Sequence, residues 1–131
     1  MLQLIKMKKL LGIVVLGLFL SSNAYAKDLT GTKLICKRSL AKNYLTKSID
    51  FINADEAILF QILDWKLLKM KLTYEVKPDK IKVGSWISID RETLTLGSGN
   101  QTCEIVDKDL DLFMQNILDE HLKEQESKNK L

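Results

Sequence analysis

Histidine occurs once in this chain, at His121, and proline once, at Pro78. A single histidine cannot build a metal centre alone, and no Cys-x-x-Cys pair or other zinc spacing accompanies it. No serine or cysteine has a visible general-base partner, and neither a glycine-rich phosphate loop nor an acyl-transfer signature is present. Carboxylates at Asp50, Asp55, Glu56 and Asp64 fall at turns, with no neighbour that would visibly perturb them. The sequence implies no cofactor, no metal and no catalytic set.

Aspartates at 107, 109 and 111 invite a calcium-loop reading, which then requires glycine at the sixth position and glutamate at the twelfth. Those positions hold Leu112 and Leu118, so the three acids are read instead as the opening of a helix, where its dipole favours negative charge. Internal repeats are absent. Asn100-Gln101-Thr102 matches a glycosylation sequon that has no meaning in an ordinary bacterial context.

What is present begins at the N-terminus. Lys6, Lys8 and Lys9 precede the uncharged stretch Leu10 to Leu20, and Ala24-Tyr25-Ala26 has the small-x-small pattern of a cleavage site. Residues 1–26 are therefore read as a secretory signal peptide. An apolar run this short falls below the ~20 residues of a membrane span. Met7 begins a more compact signal and is an alternative start.

Signal removal leaves 105 of 131 residues, enough for one modest domain. That remainder has 17 basic and 17 acidic side chains, so nothing in its net charge calls for nucleic acid. Lys27 to Arg91 is net basic, and Glu92 to Leu131 net acidic. Cys36 and Cys103 remain after cleavage. Export would place both in an oxidising compartment, so they are expected to form a disulfide.

Periodicity then sets the fold class. Leu68, Met70, Leu72, Tyr74 and Val76 alternate with polar residues over ten positions, a half-buried strand. Shorter strands are read at Thr32–Lys37, Ile49–Phe51, Ala57–Leu63, Ile81–Val83 and Gln101–Val106, and one strand kinked near Asp90-Arg91 over Trp86–Leu96. Gly97 to Asn100 is a hairpin loop. From 107 to 125 the spacing becomes helical, with Leu110, Phe113, Met114, Ile117, Leu118, His121 and Leu122 on one side. Residues 126–131 read as a frayed tail. The expected fold is mainly β with a C-terminal helix: over 27–106 a small antiparallel meander curled into a barrel-like sheet, stapled by one disulfide, with the helix on an open end or a sheet face.

The segment Ile89-Asp90-Arg91-Glu92-Thr93-Leu94-Thr95-Leu96, followed by Cys103, resembles small bacterial secreted proteins in which an I-x-R-x-T-L-x-L strand precedes the second of two cysteines. That resemblance implies no activity. In size, disulfide and meander the chain is also similar to periplasmic lysozyme-inhibitor barrels, without their inhibitory loop motif, and to lipocalin-like carriers.

Together these features point to a non-enzymatic exported binding module acting on a protein or cell-envelope component. The alternatives are a carrier of a small apolar ligand and an enzyme with an unrecognised site. Candidate contact residues are Trp65, Tyr74 and Trp86. Lysines at 66, 69, 71, 77, 80 and 82 suggest a basic outer face or protection of strand edges.

Overall fold

A computed structural model of the chain describes residues 28–38, 43–97 and 100–131. The expected signal peptide and its cleavage point lie outside the described residues, as do Ser98 and Gly99 of the expected hairpin loop. Eight antiparallel strands follow one another around a closed barrel: β1 (Lys33–Lys37), β2 (Lys47–Phe51), β3 (Glu56–Leu63), β4 (Lys66–Val76), β5 (Lys80–Val83), β6 (Ile87–Asp90), β7 (Thr95–Leu96) and β8 (Gln101–Val106). A 3₁₀ turn, Asn43–Leu45, precedes β2, and helix α1 (Leu110–Lys128) ends the fold. Among the described residues no helix is long and apolar enough to cross a membrane.

Closure depends on β1 meeting β8, strands far apart in the chain. Cys36 lies directly opposite Cys103 in that ladder, and their disulfide joins the two strands across a Cα–Cα distance of 3.9 Å. A link spanning 67 residues restricts the unfolded chain, worth roughly 4 kcal/mol in the chain-entropy model.

Strand alternation fills the barrel. Leu34, Cys36, Ile49, Phe51, Ala57, Leu59, Val83 and Ile89 point inward and are almost wholly excluded from water. The alternate residues of the same strands explain why β3 is apolar on both faces. Phe60 and Ile62, together with Ile35 of β1, form a second core outside the barrel wall, beneath Leu110, Met114, Ile117 and Leu118 of α1. The helix therefore covers a sheet face rather than an open end. Burying each of these four side chains is worth about 2 kcal/mol.

Several sequence expectations need correction. The helix runs Leu110–Lys128, not 107–125. Asp109 is its N-cap and accepts the Leu112 N–H at 3.1 Å, so of the three aspartates only Asp111 lies in the first turn. Phe113 is half-buried rather than central to the packed face, and Leu122 is exposed.

The kink near Asp90-Arg91 is a full reversal: β6 pairs antiparallel with β7, Ile89 opposite Leu96. The Asp90 carboxylate makes the turn by accepting the N–H groups of Thr93 and Glu92 at 3.0 and 2.8 Å, contacts that also hold its pKa below the usual carboxylate value. Trp86 lies in the turn before β6, not in the strand.

Candidate functional site

The ladder registers leave one hairpin standing beyond the barrel. β4 is 11 residues long, but β5 pairs only with Tyr74, Glu75 and Val76. On the other side, β3 pairs with β4 from Glu56–Thr73 to Leu63–Lys66, whereas β2 reaches only from Ala57 to Phe60. Residues Gln61 to Leu72 thus form an overhang above the β5–β6 turn.

One edge of this overhang has no strand beside it among the described residues. Tyr74 N–H donates to the Asp55 carbonyl on the β3 side, and Gly84 N–H donates to the Thr73 carbonyl on the β5 side. In an extended strand successive residues direct their backbone groups to opposite sides. The N–H and C=O groups of Leu67, Lys69 and Lys71 therefore point out of the edge, and no strand among the described residues pairs with them.

The two faces of the overhang differ. Leu68, Met70 and Leu72 continue the inward face of β4 but are only half-buried, and Leu63 is 50% exposed. Trp86, 58% exposed, stands at the foot of this strip. Gly84 between them has φ +61°, and a Cβ there would lie 3.3 Å from both Leu72 Cδ1 and Trp86 Cζ3. Glycine thus serves both the left-handed turn and the close approach. Lys69 and Lys71 project from the other face. Lys69 pairs with Asp111 of α1, bringing the acidic C-terminal segment against the basic body.

The tip is fixed by an aromatic stack. Asp64 and Trp65 form a two-residue turn with φ of +54° and +64°, positions that favour asparagine and glycine. A tryptophan here costs about 1 kcal/mol of backbone strain. In that conformation its ring stacks on His121 at 4.3 Å between centroids, with planes 9° apart. On the opposite face of the imidazole, Tyr44 stacks at 3.9 Å and 13°. One ring from each of three elements thus holds the hairpin against α1 and the 3₁₀ turn. Beside the stack is an open cleft of ≈ 400 Å³ lined by Leu45, Leu63, Asp64, Glu124 and Lys128 as well as the three rings.

The structure separates the three aromatic candidates. Trp65 and Trp86 occupy turns at the same end of the barrel, because alternate turns of a meander share an end. Tyr74 is in the core. Its hydroxyl donates to the Asn53 carbonyl at 2.7 Å and accepts the Leu29 N–H at 3.1 Å, and its ring meets Phe51 edge-on at 4.8 Å. Burial raises its pKa above the usual phenol value.

His121 is a packing histidine with rings on both faces. Tyr44 was not singled out by sequence, having no periodic neighbours. Both cysteines are in the disulfide, and no group of three or more His, Cys, Asp or Glu side chains among the described residues could hold a metal.

Comparisons with models of known families, with curated proteins and with solved structures find no match to this chain. The I-x-R-x-T-L-x-L segment brings no family with it, and its residues are occupied by the fold. Ile89 and Leu96 are core, and Arg91 donates to the Lys77 carbonyl at 2.9 Å, tying two turns together.

Proposed function

We propose that this protein is a non-enzymatic exported binding module, recognising a protein or cell-envelope component through the overhanging β3–β4 hairpin. The observation that carries this reading is the combination on one hairpin of an unpaired edge, a half-exposed apolar strip and a tip held in a strained turn by the Tyr44–His121–Trp65 stack. Strain of this kind persists where the surroundings over-determine it, and it gathers at functional positions. Export is supported by the signal-like N-terminus and by a disulfide suited to an oxidising compartment.

The carrier reading is weakened by the barrel interior. Phe51, Leu34, Ile49, Leu59 and Ile89 fill the space where a lipocalin-like ligand would sit.

Site-directed photo-cross-linking in cells that export the protein tests the proposal. A cross-linker at Lys71 or Trp86 should give a discrete adduct, whereas one at Glu92, at the opposite end of the barrel, should not. Adducts absent from the hairpin, or equal at both ends, would contradict it.

A further inference from the structure

We propose that the free edge of β4 between Leu67 and Lys71 takes up an extended segment of a partner protein as an added strand, and that this segment alternates acidic with apolar residues. The inference rests on the binding-module reading and specifies the partner. Strand addition needs a row of unpaired backbone donors and acceptors, here those of Leu67, Lys69 and Lys71, which no strand among the described residues pairs with. It also needs an unobstructed lane. β5 occupies that lane up to Val83, and the chain then turns back through Gly84 to Trp86, leaving the upper part open among the described residues.

Side-chain alternation dictates the partner's pattern. A strand in this lane would place every second residue beside Leu68, Met70 and Leu72, with Trp86 below, and these positions call for apolar side chains. The residues between them would face Lys69 and Lys71, with Lys82 next in line on β5, and these call for carboxylates. Lys69 already has Asp111, so Lys71 has the larger share of this preference.

Charge also argues against a second copy of this chain as the occupant. An antiparallel two-fold pairing of the edge centred on Lys69, Met70 or Lys71 sets lysine opposite lysine, which is destabilising. The lysines thus discourage self-pairing while remaining compatible with an acidic strand.

The test uses the disulfide-bonded protein and a nine-residue synthetic peptide alternating Glu and Val, followed by amide NMR and hydrogen exchange. Binding should slow exchange at Leu67, Lys69 and Lys71 and shift the indole signal of Trp86. The counterpart with Lys in place of Glu should bind at least about fivefold more weakly, and Lys71→Glu should weaken the acidic peptide by a similar factor. Lys71→Glu lies on an exposed face, and an unchanged melting temperature would confirm that it folds.

No protection at these three amides, or equal binding of both peptides, would overturn the inference. So would a concentration-dependent dimer protecting the same amides in the absence of peptide, which would give the edge to a second copy. Failure here combined with a hairpin cross-link in cells would discard the added strand alone. Loss of the cross-link would discard the binding-module reading itself.

Discussion

His121 of α1 lies flat on the indole of Trp65, with ring centroids 4.3 Å apart, and so joins the helix to the tip of a hairpin that extends past the rest of the barrel. The only histidine in the chain is thereby a fastening between two elements 56 residues apart in sequence.

Replacing His121 with alanine should free the hairpin without unfolding the barrel. The expected cost is about 1–2 kcal/mol, from lost stacking and lost burial. Amide exchange should accelerate at Leu63, Lys66 and Leu68, which bond within the hairpin, and stay unchanged at Ile49 and Ile89. Uniform acceleration across the barrel would mean that the stack supports the whole fold.

Docking of α1 is best probed at Met114, which is fully buried, rather than at half-buried Phe113. Met114→Asp forces a carboxylate into the outer core and should cost several kcal/mol, with a large fall in melting temperature. Phe113→Asp should cost clearly less. Equal and small effects would show a helix that stands away from the sheet.

Reduction of the Cys36–Cys103 bond, or a Cys36→Ala, Cys103→Ala double variant, should lower unfolding stability by about 3–4 kcal/mol. Denaturant titration measures this directly. Loss of the bond should loosen the β1–β8 seam first, seen as faster exchange at Ile35 and Glu104, which lie opposite each other there and direct their N–H groups across it.

Tyr74 predicts a pH dependence. Burial raises its pKa in the folded state, so the native protein holds the phenolic proton where the unfolded chain has lost it. Its contribution is complete below the unfolded value of about 10 and is lost as pH rises through the folded value. Stability should therefore fall more steeply above pH 10 in the parent than in Tyr74→Phe. At neutral pH that variant should cost about 1–2 kcal/mol, for two lost hydrogen bonds that leave Asn53 and Leu29 groups unsatisfied.

Much of the fold was legible because alternation and helical spacing report which face a residue occupies. The ten-residue pattern in β4, the extent of β8 and the helix stripe all follow from that local signal, whereas the cysteine pairing follows from an even count and the expected export. Face is not depth, however. Ile105 shares its side of β8 with Cys103 yet is 65% exposed near the strand's end.

Register is not local at all. That β4 outruns β5 follows from Tyr74 lying opposite Val83, which neither strand's own sequence states. The β6–β7 reversal reads as a kink in the sequence because Asp90 makes its turn with a side chain, leaving only a short interruption in the apolar pattern. The aromatic stack draws one residue from each of three separate elements, so no spacing in the sequence announces it.

The open edge on β4 is tested most directly by residue-resolved amide exchange of the free protein. Leu68, Met70 and Leu72 direct their N–H groups toward β3, and Leu67, Lys69 and Lys71 direct theirs outward. Exchange should alternate along the strand, slow at the even positions and fast at the odd ones. Uniformly slow exchange from Leu67 to Leu72 would show that the edge is already paired and would contradict it.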